Sequence, residues 1–517
     1  MKINFKILIL FLTFFTNVCF SQLYKDLKLF SNVLNHVKSN YLYERNSSVL
    51  VKTAINGLLN SLDPHCIYLN SHQFEKLMQI TLGKSFGLGI EFTFAGESVI
   101  VISVADESEA KNSGILPGDV LKKINDVPIL NKTLPEIKIM LYGEKESSVE
   151  LEFYRHIDES SLTIDLKREE IEENSISRFL RLENNTVYIN CTNFSSTTAD
   201  EFYETLDKID TNSCEKVIID LRNNPGGQLE NTINVAKLFL AKGDTISKTI
   251  GRKEDIDKIY INEEEKFFHI PAIILVNRSS ASASELLAGT LQDNDRALIM
   301  GTNTFGKGLI QGTFLLDDGG ALLLTIGKYS TPSGRIIQRP YEDKSFDQYY
   351  NEIYNTNNTN YTNRPKFKSN NNRILYGGGG IIPDIFIDNV NPITDTIDIE
   401  DLKLYCINFS TIFLRETKNF DQRFKYFTDY KEKFFLTQKI FKDINSIVKK
   451  NQNSINNVEF NQEVASLIKA TIAEIIWGKE AAFIVLIKDD ELLSLAISMS
   501  AKDIKDHLNP KKENTEF

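Results

Sequence analysis

The first 65 residues carry apolar side chains at helical spacing. Residues 27–37 and 51–62 repeat them at intervals of three and four, which predicts two amphipathic helices that end at Asp63-Pro64. After Gly83 the pattern becomes that of short strands around one helical stretch. The predicted strands cover residues 86–92, 98–104, 120–124 and 148–154, and the predicted helix covers residues 133–142. We therefore expect a helical lead-in followed by a small β-rich module.

From residue 166 to about residue 388, strands alternate with helices. The continuous apolar runs at residues 216–221 and 271–277 are typical of strands that are buried on both faces of an α/β sheet. Residues 341–372 are rich in Asn, Tyr and Thr, so we expect an exposed loop insertion there. Helical periodicity returns beyond residue 396. The pattern as a whole predicts a multidomain α/β protein with helical ends.

The N-terminus has the order of an export signal. Lys2 and Lys6 accompany an apolar run at residues 7–15, and small residues follow as far as Ser21. This order predicts a signal peptide over residues 1–21 with cleavage after Ser21, and hence a place in the periplasm or cell envelope. Two alternatives stay open. The run is short for an uncleaved anchor, which needs roughly 20 apolar residues, and the residues before Cys19 make a poor lipoprotein signal.

Composition narrows the function classes. A length of 517 residues favours several domains, and a formal net charge of −11 argues against nucleic acid as a partner. The five cysteines form no C-x-x-C pair and the six histidines form no H-E-x-x-H motif. We therefore predict no metal and no cofactor.

Two glycines follow the first apolar run. Gly226 and Gly227 lie between the predicted strand at 216–221 and a helical pattern that begins near Leu229. Glycines in this position let backbone N–H groups point outward at the positive end of a helix, where they can bind an anion. A tight turn that needs positive φ explains the same two residues, so both interpretations stay open.

Small residues crowd the turn after the second apolar run, at residues 279–285. A serine hydroxyl near a helix N-terminus is favoured as a developing alkoxide, which suits a nucleophile. The segment from Ser282 to Glu285 also fits the S-x-x-E capping box. The spacing alone does not choose between nucleophile and helix cap.

The segment from Gly301 to Gly308 nearly matches a phosphate-binding loop. Gly308 replaces the required hydroxyl, and a strand-like run follows where that motif needs a helix, so nucleotide binding is disfavoured. If this run is extended, Lys307 and Gln311 share one face. Lys307 could then act as the base for a serine, provided that burial or nearby charge lowers its pKa.

A Ser-His-Asp triad is the less attractive alternative. The chain has no G-x-S-x-G elbow, and we interpret His65, the best-placed histidine, as structural.

A succession of motifs runs in order between residues 50 and 390: Asp63-Pro64-His65, Gly87-Leu88-Gly89-Ile90, Gly118-Asp119, residues 220–227, residues 280–285, residues 304–311, residues 329–335 and residues 380–384. This succession resembles the carboxy-terminal processing peptidases, or tail-specific proteases, of peptidase family S41. The resemblance implies a ββα-spiral, crotonase/ClpP-like protease core joined to a PDZ domain.

The resemblance also implies roles for individual residues. Ser282 would be the nucleophile, Lys307 the general base and Gln311 the residue that orients this base. The presence of all three favours an enzyme over the alternative, a catalytically silent PDZ-containing relative that binds peptides or serves as a scaffold.

Backbone N–H groups would form the oxyanion hole. The resemblance assigns them to Ala283 and to the Gly226-Gly227 turn, and it leaves open which glycine contributes. Ser284 and Glu285 would serve the start of the following helix.

The β-rich module at residues 83–160 resembles a bacterial PDZ domain. In that family Gly87, Leu88, Gly89 and Ile90 would bind the C-terminal carboxylate of a substrate, with the chain end added beside a strand. The implied partners are proteins or peptides with free C-termini, cleaved as by an endopeptidase near those termini.

The predicted domains follow from these assignments. The signal peptide precedes a helical region at residues 22–82, the PDZ domain at 83–160, the protease core at 161–395 and a helical region at 396–517. The last region has no counterpart in the family pattern, and we expect the helical ends to serve oligomerisation or binding of an activator. Cys66 stands where the family often has Ser, which we interpret as a tolerated small residue.

Overall fold

The computed structural model divides into two compact units. The first contains Met1–His72, Gln311–Thr325 and Tyr341–Tyr350, and the second contains Gln73–Ile310, Ile326–Pro340 and Asn351–Phe517. The structure describes the chain except for residues 1–4, 96–97, 106–107, 131, 133–136, 138–139, 142–145, 173, 211–212, 343, 345, 356–362, 389–398, 452–457 and 510–517.

The elements up to residue 172 are α1 (Phe5–Asn40), α2 (Ser47–Asn60), β1 (Ile67–Leu69), α3 (Ser71–Leu82), β2 (Lys84–Gly87), β3 (Ile90–Ala95), β4 (Ser98–Val104), α4 (Glu109–Asn112), β5 (Val120–Ile124), β6 (Val127–Pro128), β7 (Ser148–Arg155), β8 (Ser160–Lys167) and β9 (Glu169–Glu172).

The next elements are β10 (Ile176–Leu182), β11 (Thr186–Cys191), α5 (Thr198–Asp207), β12 (Lys216–Asp220), α6 (Leu229–Phe239), β13 (Thr245–Gly251), β14 (Lys258–Ile261), β15 (Ala272–Val276), α7 (Ala283–Asp293), β16 (Ala297–Gly301), β17 (Leu309–Leu315) and β18 (Ala321–Ser330).

The remaining elements are α8 (Phe346–Asn355), β19 (Lys366–Lys368), β20 (Ile374–Tyr376), β21 (Ile385–Phe386), α9 (Ile399–Glu416), α10 (Phe420–Arg423), α11 (Phe427–Lys433), α12 (Gln438–Asn451), α13 (Gln462–Trp477), α14 (Lys479–Leu486), α15 (Glu491–Ser498) and α16 (Ala501–Leu508), with one 3₁₀ turn at Ile487–Asp489.

The first unit begins with the two predicted helices. Asn46 caps α2 by accepting the N–H of Ser48 at 2.8 Å. β1 pairs antiparallel with the first part of β18, Ile67 opposite Leu323. Among the residues that the structure describes, none of the helices combines the length and the apolar character that a membrane span requires.

The second unit contains the predicted β-rich module. Its sheet has the order β3-β4-β5-β7-β8, and its core includes Val101, Ile124 and Phe153. β8 continues past the predicted boundary at residue 160 and pairs along its whole length with β7. Only residues 137, 140 and 141 of the predicted helix at 133–142 are described, as helical, and the remainder lies outside the described residues.

The region predicted to form the protease core is built on a sheet of order β10-β11-β12-β15-β16-β21. β10 is antiparallel to β11, and the strands from β11 onward are parallel. Both apolar runs of the sequence form its central strands, β12 and β15, whose residues are all buried. Helices α5, α6 and α7 cover one face of this sheet. The prediction that these strands are buried on both faces is confirmed.

The C-terminal region supplies the cover for the opposite face. Leu492, Leu493 and Met499 pack against the sheet there. The Nζ of Lys216, at the start of β12, donates to the carbonyl oxygens of Ile497 at 2.8 Å and Met499 at 2.6 Å. These two hydrogen bonds provide partners for the buried Nζ of Lys216 and join the C-terminal region to β12.

The rest of the C-terminal region packs around a core of its own. This core is rich in aromatic residues, among them Phe409, Tyr430 and Phe441. The region also contacts the β-rich module: Leu404 packs against Ile100 and Val120.

The expectation of a loop at residues 341–372 is wrong where the chain forms regular elements, whereas most of the described side chains there are exposed or half-buried. Residues 346–355 form α8, and β19 pairs with β20. Within the first unit, Tyr349 is fully buried and lies 3.2 Å from Nε2 of His65 through its hydroxyl. The high Asn content of the segment gave no indication that Tyr349 would be buried.

Candidate active site

Ser282 occupies a strained turn between β15 and α7. It is the N-cap residue of α7, with φ 53° and ψ −111°, a conformation that a residue with a side chain adopts only at a cost of about 1–3 kcal/mol. Its N–H donates to Oε2 of Glu285 at 2.9 Å. The surrounding contacts therefore impose a backbone conformation that the residue would not choose by itself.

Lys307 lies in the loop between β16 and β17, within the same compact unit as Ser282. Its N–H donates to Oε2 of Glu285 at 2.8 Å. The two residues that sequence analysis selected as nucleophile and base are thus bound through their backbones to one carboxylate oxygen.

Glu285 accepts hydrogen bonds from two segments of the chain. Besides the N–H groups of Ser282 and Lys307, it accepts the hydroxyl of Thr304 at 2.5 Å and the N–H of Gly306 at 2.6 Å, both on Oε1. Its side chain is fully buried. Burial raises its pKa to about 7 against the opposing effect of these hydrogen bonds. The predicted capping role therefore describes only part of what this residue does.

Tyr329 contacts the same two residues, and sequence analysis assigned it no role. Its hydroxyl oxygen lies 2.8 Å from the carbonyl oxygen of Ser282 and 2.7 Å from that of Lys307. It is buried, and burial with the nearby charge of Glu285 raises its pKa well above the usual value. Its place in the motif at residues 329–335 was the only sequence signal available.

The Gly226-Gly227 turn packs directly against the Ser282 turn. A Cβ on Gly226 would lie 2.7 Å from the carbonyl oxygen of Ala281 and 2.8 Å from the nitrogen of Ala283. A Cβ on Gly227 would lie 2.1 Å from the carbonyl oxygen of Phe194. Both glycines also have positive φ, so each position requires glycine on steric and conformational grounds.

Asn224 joins these two turns. Its carbonyl oxygen accepts the N–H of Ala281 and the hydroxyl of Ser284, both at 3.0 Å. Its side-chain Oδ1 accepts the N–H of Gly226 at 2.8 Å. Gly226 therefore has its donor engaged within the turn.

Two backbone donors beside Ser282 lack an internal partner. Within the described part of the chain, the N–H groups of Gly227 and Ala283 donate to no protein acceptor. Ala283 is the first residue of α7, where the helix leaves N–H groups unpaired and its dipole favours negative charge. A strained serine beside two unpaired donors suits acyl transfer with an oxyanion intermediate.

Gln311 belongs to the first compact unit. There its Nε2 donates to the carbonyl oxygen of His65 at 2.6 Å. His65 is buried between Tyr349 and Tyr350, in agreement with the structural role predicted for it. In the same unit the thiol of Cys66 donates to Asp63 at 3.1 Å.

The loop predicted to bind a carboxylate precedes an edge strand. Gly87 ends β2, Leu88 is buried, and Ile90 begins β3, the strand at the edge of its sheet. Gly89 has φ 70°, and its carbonyl oxygen accepts the N–H of Ala105 at 2.8 Å. An edge strand after such a loop has the open backbone that strand addition needs.

Comparison with known proteins finds two family matches along the chain. The model of peptidase family S41 matches residues 185–342, and a PDZ domain model matches residues 87–166. A carboxy-terminal-processing protease of Bartonella bacilliformis is 35% identical over 320 residues, which cover 61% of this chain and 73% of that protein. A probable CtpA-like serine protease of Staphylococcus aureus is 33% identical over 315 residues, which cover 60% of this chain and 62% of that protein.

Among solved structures, a photosystem II D1 C-terminal processing protease matches 69% of this chain and 86% of its own, with 24% identity and a TM-score of 0.36. The chain belongs to peptidase family S41, as a homologue of the carboxy-terminal-processing proteases. It is a serine-type peptidase with a PDZ domain.

Proposed function

We propose that this peptidase cleaves proteins near their C-termini with a Ser282–Lys307 dyad. The observation that carries the proposal is the shared carboxylate of Glu285, which binds the N–H of Ser282 at 2.9 Å and that of Lys307 at 2.8 Å. Neutral Lys307 takes the proton of the Ser282 hydroxyl as Oγ attacks the scissile carbonyl. The proton then passes to the leaving amine, and water hydrolyses the acyl-enzyme.

Gly227 and Ala283 supply the oxyanion donors in this proposal. Gly226 is the weaker candidate because its N–H is engaged by Asn224. A Gly227→Ala variant is expected to be inactive, since its Cβ would collide with Phe194. Wild-type kcat in this variant would contradict the steric need for glycine at position 227.

We also propose that Gln311 orients Lys307. What supports this role is the match of residues 304–311 to the family pattern. The core is proposed to follow the ββα-spiral arrangement of that family.

We propose that the PDZ domain captures substrate C-termini at Gly87–Ile90 and along β3. Amidating the C-terminus of a peptide substrate is expected to raise KM about tenfold with little change in kcat, because one charge-assisted contact is lost. Steady-state kinetics on the paired free-acid and amide peptides measure this effect. Equal KM values for the two peptides would contradict carboxylate capture.

We propose that the protein is exported and cleaved after Ser21, which leaves Gln22 as the new N-terminus. The order of basic, apolar and small residues at positions 1–21 supports this proposal. Intact mass of the protein from a periplasmic or envelope fraction tests it, and an unprocessed N-terminus would contradict cleavage.

We propose self-association through α1 as the partner role of the helical ends. Leu23, Leu27, Phe30, Leu34 and Val37 follow one another at intervals of four and three, and every one except the half-buried Leu34 is exposed. This 3.5-residue period is typical of a seam between two helices of a coiled coil, which favours a second copy of the chain as the occupant.

Self-association through this seam has a matched control on the same helix. Leu27→Ser is expected to shift the protein towards monomer in sedimentation velocity experiments. Leu29→Ser, an equally exposed leucine that lies off the seam, should leave the mass unchanged. A wild-type monomer, or equal effects of the two variants, would contradict the seam.

A further inference from the structure

We propose that Glu285 and Tyr329 form a clamp that positions the nucleophile against the base; this inference rests on the proposed Ser282–Lys307 dyad. Glu285 binds the N–H groups of both residues through one oxygen. Tyr329 places one hydroxyl within hydrogen-bond distance of both carbonyl oxygens. The peptide backbone on each side of both residues is thus tied to the same two side chains.

The contacts of Glu285 exceed what a helix cap requires. Capping α7 needs only the bond to Ser282. The other three donors come from Thr304, Gly306 and Lys307, all in the loop that carries the base. One carboxylate therefore couples the start of α7 to a loop more than 20 residues further along the chain.

Tyr329, like Glu285, contacts both Ser282 and Lys307. It lies on β18, an element that contains neither member of the dyad. Because a phenol has a single proton and both acceptors lie within 2.8 Å, that proton is shared between the carbonyl groups of Ser282 and Lys307. A shift of either residue away from the other would break one of these contacts.

The hydrogen bonds of Glu285 and Tyr329 are costly to lose because both side chains are buried. The side chains of Glu285 and Tyr329 are shielded from water, so a lost partner is not replaced by solvent. Ser282 also sits in a strained conformation that persists only where its surroundings over-determine it. The clamp supplies this constraint at both ends of the residue.

The test compares Tyr329→Phe with Tyr430→Phe. Both remove one buried hydroxyl that binds backbone carbonyl oxygen, but Tyr430 donates to Lys469 at 2.7 Å within the core of the C-terminal region. Tyr329→Phe is expected to lower kcat about 10- to 100-fold with KM changed less than twofold, because the reacting groups are misplaced while the substrate still binds. Tyr430→Phe should keep wild-type kcat.

Glu285→Gln completes the experiment. It keeps the size of the side chain but replaces one acceptor oxygen by an amide donor, so kcat is expected to fall at least as far as in Tyr329→Phe. In the double variant, kcat should fall by less than the product of the two separate fold-losses, because both substitutions disturb the same geometry. Conservative Glu285→Asp should fail to restore kcat, since its shorter side chain cannot span both segments.

The outcomes separate the clamp from the dyad. Full activity in Ser282→Ala or Lys307→Ala would overturn the dyad itself. If those variants are inactive but Tyr329→Phe keeps kcat within twofold, or loses no more than Tyr430→Phe, the clamp is overturned and the dyad stands. Reaction of Ser282 with a fluorophosphonate, followed by intact mass, gives a substrate-independent readout that should slow in parallel with kcat.

Discussion

The Ser282→Ala variant is expected to lose cleavage of an unstructured protein by about 10³-fold or more. Alanine has no oxygen to attack the scissile carbonyl, and only the backbone donors beside it remain. Lys307→Ala should lose as much, and the double variant should be no worse than either, because nucleophile and base act as a unit. Cleavage rates measured with a substrate that has a free C-terminus test this expectation.

Two exposed residues of the same types serve as controls for this loss. Ser498→Ala lies at the end of α15, and Lys328→Ala lies on β18 next to the clamp residue Tyr329. Both should cleave at the wild-type rate. Undiminished cleavage by Ser282→Ala, or a loss in Lys307→Ala matched by Lys328→Ala, would contradict the dyad.

The backbone strain at Ser282 should be measurable as a difference in stability between two variants. Ser282→Gly removes the side chain that disfavours φ 53°, whereas Ser282→Ala retains a Cβ in the same conformation. The glycine variant is therefore expected to be more stable than the alanine variant by about 1 kcal/mol in urea unfolding, although both are inactive. Equal stability would show that the turn is relaxed.

Arg335→Met is expected to destabilise the second unit by about 3–5 kcal/mol. Arg335 and Asp293 are fully buried and lie 2.8 Å apart as an ion pair. Removing the cation leaves a buried carboxylate whose other contacts, the hydroxyl of Thr331 and the N–H of Ser333, do not neutralise it. The change in the urea midpoint, with the m-value checked, measures this loss.

A solvent-accessible ion pair provides the comparison for Arg335. The half-buried Arg415 pairs at 2.9 Å with the exposed Glu416, and Arg415→Met should change stability by less than about 1 kcal/mol. Replacing both buried partners, in Arg335→Met with Asp293→Leu, should recover part of the loss because no charge is then left unpaired. If Arg335→Met is as mild as Arg415→Met, the buried pair is not a major contributor.

Asp293 also links this stability to catalysis. It is the last residue of α7, the helix whose first turn carries Ala283 and Glu285. A partly unfolded or displaced α7 would move the serine turn, so Arg335→Met is expected to lower kcat near its unfolding transition and to approach wild-type kcat well below it.

The core strands, the turns of the site and the dyad residues could be predicted from the sequence. Apolar runs at 216–221 and 271–277 marked strands buried on both faces, because continuous burial removes polar alternation. Glycines and serines after these runs marked the turns of the site, and a Cβ on Gly226 or Gly227 would collide with neighbouring backbone. The order of the motifs then selected Ser282 and Lys307, which the structure places on one carboxylate.

Other features depend on residues far apart in the chain. Tyr349 looked like part of a polar insertion because only packing against His65 reveals its burial. The 396–517 region had no family counterpart, yet it covers one face of the core sheet through Leu492, Leu493 and Met499. A sequence pattern states that a strand face is buried, but it does not name the segment that covers it.

The choice between the glycines and the role of the clamp also needed the fold. Gly226 and Gly227 are equivalent on spacing, and only the bond from Gly226 to Asn224 distinguishes their donors. Glu285 was predicted as a local cap, and Tyr329 had no predicted role. The sequence by itself thus determined which residue types carry the chemistry, whereas the tertiary structure decided which backbone atoms meet, because hydrogen bonds between distant segments leave no periodic trace in the chain.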